Sequence, residues 1–245
     1  MDLLEGSAGA DPALDVALPH ALLALVAAAR RGAVLRSYRP HPTVAFGHRD
    51  SFLPGFQRAV AGARRHGFTP VVRGAGGRAA AYDEGCLVFD VIAPASDAMT
   101  GIEARFEAEA GLQARALRGL GVDARVGEVP GEYCPGEFSV NARGQTKLIG
   151  AAQRVVGGAW LLSSVVVVAP APQLRAVLED VYKELGLDWD PATTGSVTDE
   201  VPDVSIGAVR DALLAQYTQE ATLTPATITA AEFAAANDVI GRYRV

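Results

Sequence analysis

The sequence predicts an α+β fold, with strands gathered in the middle of the chain and helices at both ends. Three observations carry this expectation. Segments with strand character cluster between residues 33 and 169, and helical spacing dominates residues 11–31 and 172–240. Val165 to Val168 is apolar on both faces, as a strand in the middle of a covered sheet must be. The order of elements shows no regular βαβ alternation, and no internal repeat or low-complexity linker interrupts it, so layer packing within one domain is expected.

Asp11 followed by Pro12 is an N-cap and first-turn pair, and Leu14, Leu18, Leu22 and Leu25 then recur at helical spacing as far as Arg30. Pro19 inside that run requires either a helix that begins nearer Pro19 or one that bends there. Residues 33–39 and 43–46 read as strands and suggest a hairpin-like pair. A helix over 54–66 carries Phe56, Val60 and Ala63 on one side, and a strand over 68–73, a glycine-rich loop and a strand over 86–92 follow. Residues 98–120 hold the longest helical pattern. Strands are expected over 122–126, 138–141, 147–156 and 159–169. Helices over 172–185, 204–217 and 230–240 close the chain, with residues 188–203 as a polar connector.

Composition narrows the function classes. The 245 residues are 49% hydrophobic, enough for a continuous core, and carry a net charge of -6, which leaves no basic field for a nucleic acid backbone. The early apolar stretch Ala21 to Ala29 is about half of a membrane span, and Asp2 and Glu5 precede it instead of a basic segment, so neither a membrane anchor nor a signal peptide is expected. Two cysteines in unlike surroundings, Cys86 and Cys134, predict free thiols and fit a reducing cytoplasm. The four histidines show no metal-ligand spacing, so no metal site is expected.

Three segments carry candidate chemistry. Val71-Val-Arg-Gly-Ala-Gly-Gly-Arg-Ala79 follows a strand and loosely satisfies a dinucleotide fingerprint, yet Tyr82-Asp-Glu-Gly85 is turn sequence leading into another strand, where a Rossmann loop must open a helix. What stays open is a loop whose backbone N–H groups approach a ligand between Arg73 and Arg78, or an ordinary tight turn. Cys86 lies in an apolar strand and reads as core, whereas Cys134 sits in the turn sequence Gly131-Glu-Tyr-Cys-Pro-Gly136, as an exposed nucleophile or an incidental surface thiol. Lys147, in Gly144-Gln-Thr-Lys-Leu-Ile-Gly150, is either a solvated edge charge or an ammonium that stabilises a thiolate and an oxyanion.

Together these segments resemble the lipoate/octanoate protein ligase and transferase family, from about Leu14 to Tyr243. The resemblance rests on Arg39-Pro-His-Pro-Thr-Val-Ala-Phe-Gly47, the Arg73 to Ala79 loop with Asp83-Glu-Gly85, the segment Lys147-Leu-Ile-Gly-Ala-Ala-Gln-Arg154, and the closing Ile228-Thr-Ala-Ala-Glu-Phe233. Tyr133-Cys-Pro-Gly136 is similar to an element of the cysteine-dependent octanoyl amidotransferases, while Tyr82 and His48 stand where many members have histidine and arginine.

The resemblance implies a mixed, largely antiparallel sheet covered by helices, like that of biotin and lipoate protein ligases. It implies a Cys134 nucleophile with Lys147 as partner, and Arg73, Gly76, Gly77, Arg78, Ala79, Asp83 and Gly150 around the substrate. The expected activity is transfer of a medium-chain acyl group through a Cys134 thioester onto a lysine, with no cofactor. The acceptor would be a lipoyl domain or a glycine-cleavage H-type protein, and the donor an acyl carrier protein or an acylated protein. ATP and magnesium would be needed only if the chain were instead an ATP-dependent ligase. Such ligases commonly carry a further C-terminal domain, so residues 1–245 are expected to form a catalytic domain without it. A non-catalytic acyl-binding or lipoyl-domain-binding protein is the third reading.

Overall fold

The computed structural model describes residues 1–245. Its strands are β1 (Asp2–Glu5), β2 (Val34–Tyr38), β3 (Thr43–Phe46), β4 (Thr69–Val72), β5 (Ala80–Tyr82), β6 (Cys86–Pro94), β7 (Ala124–Val126), β8 (Val140–Ala142), β9 (Thr146–Val156), β10 (Ala159–Val167) and β11 (Thr224–Ala226). Its helices are α1 (Pro12–Ala27), α2 (Phe56–Arg65), α3 (Ile102–Gly119), α4 (Pro172–Leu185), the single turn α5 (Val197–Glu200), α6 (Ile206–Glu220) and α7 (Ala230–Val239).

Eight strands form one sheet in the order β11-β1-β2-β6-β10-β9-β8-β7, and β4-β3-β5 form a second. In the large sheet only the β11–β1 and β1–β2 pairs are parallel, so it is mixed and largely antiparallel. The valine-rich β10 is central as expected, between β6 and β9. Helices α1 and α7 cover one face through Leu18, Leu22, Val34, Ile92 and Leu161. On the opposite face α3 and α6 pack on Leu87, Phe89, Ile149 and Val166.

Two sequence expectations need correction. Residues 34–38 and 43–46 are both strands but not a hairpin: β2 pairs with β1 and β6, whereas β3 pairs with β4 and β5. Pro40 and Pro42, lacking N–H donors, occupy the connection and favour a chain that crosses between sheets over a hydrogen-bonded turn. The long helix begins at Ile102, not Ala98, because Asp97 accepts from the Met99 and Thr100 amides in a local turn and Gly101 takes φ +83°.

Helix α1 runs through Pro19 from its cap at Asp11, whose carboxylate accepts from the Ala13 N–H. A helical proline removes the donor for the carbonyl four residues earlier, here Asp15. The buried Arg36 of β2 supplies the replacement, its Nη1 donating to Asp15 O at 3.1 Å.

Between α3 and α6, Glu109 accepts from Gln113 and Tyr217, and burial pushes its carboxyl up to about 7 against the lowering effect of these bonds. A raised carboxyl pKa means that the folded state holds a proton the unfolded chain has released. Its stability contribution is therefore full below about 4.5 and disappears as pH rises through about 7. Glu109→Gln is expected to raise Tm relative to the parent at pH 8 but not at pH 4.5; a pH-independent difference would refute the assignment.

Candidate active site

The site is assembled where the loop between β7 and β8 meets the glycine-rich loop between β4 and β5. The first loop is wound around one buried carboxylate. Glu132 accepts from the Val129 N–H (3.3 Å), the Gly136 N–H (3.0 Å), the Ser139 hydroxyl (2.6 Å) and Lys147 Nζ (3.2 Å). From β9, the buried Lys147 also donates to Tyr133 O (3.1 Å) and Cys134 O (2.8 Å). All three ammonium protons are thus engaged, two of them with the backbone that carries the thiol. Cys134 N–H donates to Tyr182 Oη of α4 at 2.8 Å, and that hydroxyl donates to Ala79 O at 2.9 Å, tying the two loops together. Held from both sides, Cys134 adopts φ +44°, a conformation rare outside glycine and concentrated at functional turns.

The Cys134 Sγ accepts from the Arg78 N–H at 3.2 Å and from Arg73 Nη2 at 3.4 Å. Burial pushes this thiol up, but the charges of Arg73 and Lys147, with the hydrogen bonds from Arg78 N–H and Arg73, outweigh it and bring the pKa below the ordinary thiol value. Cys86 is the contrast: completely buried, it is pushed up to about 12 chiefly by desolvation, as its apolar strand suggested.

The glycines divide by role. A Cβ on Gly77, at φ +100°, would stand 2.5 Å from Arg73 Nη2 and 2.8 Å from Cys134 Sγ. A Cβ on Gly76 would meet nothing within 4 Å. Gly77→Ala is therefore expected to displace the thiol and slow any Cys134 chemistry about a hundredfold, the scale of a misplacement of about 1 Å. Gly76→Ala should leave it nearly unchanged. Alkylation rates of the two variants at pH 7 check this, and equal rates would refute the division. Gly150 has a packing role, since a Cβ there would lie 2.9 Å from Lys147 Cε.

Cys134, Lys147, Arg73, Gly76, Gly77 and Gly150 line one cavity of about 680 Å³ that runs beneath α1. Its wall also includes Val16, Pro19, Val88, Phe106 and Val165, with His20 held neutral at about 4 by burial and by Arg154. Arg78 reaches the thiol through its backbone N–H, while its guanidinium pairs at 3.1 Å with Asp50, which in turn accepts from Gly47 N–H at 2.9 Å. Ala79 contributes the carbonyl that holds Tyr182 and does not line the cavity. Asp83, expected at the substrate, lies outside: its Oδ1 accepts from Gly85 N–H at 2.8 Å and shapes the turn into β6. Its short side chain is used locally, as Asx turns use it.

Glu132, Tyr182 and Asp50 were not singled out from sequence. Glu132 stood two residues from Cys134, but Tyr182 and Asp50 come from segments that gave no chemical signal. No group of three or more His, Cys, Asp or Glu side chains is placed to hold a metal ion. No helix is long and apolar enough to cross a membrane.

A buried cation–carboxylate pair that shapes a cysteine turn, a lowered thiol pKa and an apolar cavity define a thiol site suited to acyl transfer. Residues 11–218 match the lipoyl protein ligase A/B catalytic domain, and the chain belongs to that family. It is 33% identical over 188 residues to octanoyl-GcvH:protein N-octanoyltransferase of Geobacillus kaustophilus, covering 77% of this chain and 66% of that protein, just under two thirds of its length. It is 31% identical over 211 residues to the protein of the same name from Exiguobacterium sp., covering 79% and 74%. Among solved structures, a lipoate protein ligase from T. acidophilum with bound lipoic acid superposes with a TM-score of 0.75 at 25% identity, over 98% of this chain and 95% of that one.

Proposed function

We propose that this protein is an acyltransferase of protein lipoylation that moves an octanoyl or lipoyl group through a Cys134 thioester onto a lysine of a lipoyl-carrying protein. The observation that carries the reading is the Cys134 Sγ, hydrogen-bonded by Arg78 N–H and Arg73 at the wall of a cavity that also holds apolar side chains. Relatives named octanoyl-GcvH:protein N-octanoyltransferase, and a lipoyl-GcvH:protein N-lipoyltransferase of Listeria monocytogenes that is 28% identical, support it. Those names point to an acyl group carried on a GcvH-type protein as donor, with an acyl carrier protein as the alternative.

The thiolate attacks the acyl carbonyl, and the carbon becomes tetrahedral with negative charge on oxygen. Arg73 is suited to stabilise that oxygen, since it lines the cavity and its guanidinium already donates to the sulfur. Collapse expels the donor's amine, which takes up a proton, or its thiolate, and leaves the acyl group on Cys134. The neutral amine of the acceptor lysine then attacks the thioester carbonyl, loses a proton and releases the Cys134 thiolate. Lys147 acts through position and charge: it holds the Cys134 carbonyl and lowers the thiol pKa.

The reaction requires no nucleotide, because the donor is already activated or already joined to a protein. Two free thiols fit a reducing cytoplasm as the site of action. The test is acylation of a lipoyl domain, followed by intact mass, with octanoylated GcvH-type protein or octanoyl carrier protein in the absence of nucleotide. Transfer with a transient octanoyl adduct on Cys134 is expected. Activity confined to free octanoate or lipoate with ATP and magnesium would overturn the reading in favour of a ligase.

A further inference from the structure

The two outermost strands of the large sheet are poorly suited to pairing with another chain: β11 has three residues, one of them Pro225, and β7 has three with Arg125 at its centre. A longer free edge lies inside the sheet. β9 spans Thr146–Val156, but its pairing with β8 ends at Ile149, whereas its pairing with β10 continues to Val156. From Gly150 onward β9 is paired on one side only.

The register decides which backbone groups this leaves open. Ala95 N–H donates to Gly158 O and Val168 N–H to Gly85 O, so the even-numbered residues of β10 bond to β6 and the odd-numbered ones to β9. Opposite Leu161, Ser163 and Val165 stand Arg154, Ala152 and Gly150, which bond back to β10. The N–H and C=O groups of Ala151, Gln153 and Val155 therefore point outward, and no turn or loop bond uses them. These three residues span about 13 Å of strand and carry neither a charge nor a proline to blunt the edge.

The open edge lines the cavity that holds Cys134, and it starts beside the thiol turn. Gly150 lies against Lys147, whose Nζ holds Cys134 O at 2.8 Å. Ile102 and Phe106 of α3 line the same cavity with Phe138, the two phenyl rings stacked at 5.7 Å, and Met99, 69% exposed, joins them.

We infer that the β9 edge from Ala151 to Val155 is the docking site for an extended segment of the lipoyl-carrying protein, which joins the sheet as an added strand close to its lysine. Continuity fixes the occupant: the edge and the thiol share one cavity, and the proposed reaction brings a protein lysine, free or acylated, to that thiol. An added strand lies about 4.8 Å outside β9, and its alternate side chains turn toward the α3 side, where Phe106, Phe138 and Met99 favour apolar residues. The inference rests on the acyltransferase reading for the identity of the partner.

Binding needs no turnover, so failure of acyl transfer and failure of this site are separate results. Amide hydrogen exchange of the full chain, resolved by NMR, is compared with and without a saturating unacylated GcvH-type protein. The Ala151, Gln153 and Val155 amides should exchange about tenfold slower or more in the complex, while Ala152 and Arg154, already bonded to β10, change little. Val155→Pro removes one outward donor at a position where an edge strand tolerates proline, and should weaken binding about tenfold, the scale of one hydrogen bond. If that variant does not fold, the exchange measurement decides alone. Binding that leaves the three amides unprotected, protection confined to other segments, or no binding would each overturn the docking site. Protection that rises with the concentration of this chain alone would give the edge to a second copy and overturn it too. Protection by the partner without acyl transfer from any donor would uphold the site and remove the acyltransferase reading.

Discussion

Cys134→Ala is expected to lower acyl transfer by about 10⁴-fold or more, the scale of losing the nucleophile of an acyl-transfer enzyme, and to abolish the octanoyl adduct. The substitution isolates the thiol because the backbone bonds at this position do not depend on the side chain. The N–H still donates to Tyr182, the carbonyl still accepts from Lys147, and alanine meets the φ of +44° no worse than cysteine does. Cys86 offers no substitute, since it is fully buried and its thiol is pushed up to about 12. The check is transfer rate and intact mass of parent and variant with the same donor. An adduct of unchanged mass and a normal rate in Cys134→Ala would remove the thioester from the mechanism.

Lys147→Met is expected to damage stability and chemistry together. The ammonium is buried against Glu132 at 3.2 Å, and removing one partner of a buried pair leaves an uncompensated charge, at a cost of about 3–5 kcal/mol. The Cys134 carbonyl loses its 2.8 Å anchor, and the thiol loses one of the charges that lower its pKa. Transfer should fall about a hundredfold or more, as for loss of one electrostatic contact in an acyl-transfer site, and the midpoint of the alkylation-versus-pH curve should move upward. Adding Glu132→Gln removes the stranded charge and should recover part of the stability without recovering the rate. Unchanged denaturant midpoints and an unchanged alkylation profile in Lys147→Met would reduce Lys147 to a bystander.

Local pattern was enough to locate much of this protein. The Asp11-Pro12 cap, the doubly apolar Val165–Val168 run and the turn chemistry around Cys134 are short-range signals, fixed by residues a few positions apart, and each marks its element in the structure. The family resemblance likewise rests on local segments, and the matched residues 11–218 bear it out. Partners far apart in the chain were not legible. Arg36 supplying the hydrogen bond that Pro19 cannot give, Tyr182 joining Cys134 to Ala79, and Glu132 neutralised by Lys147 all depend on which strands pair and which loops meet. Asp90 is the clearest case. In sequence it is one polar residue within an apolar strand, and only the register that sets it beside Ser163 and Arg36 under α1 reveals a buried acceptor without a donor. Sequence thus located most of the elements, the turn that carries the candidate thiol and the family, because propensity and turn chemistry act over a few residues. Tertiary structure decided which charges are paired and what the cavity wall offers, because burial and electrostatics depend on distance in space.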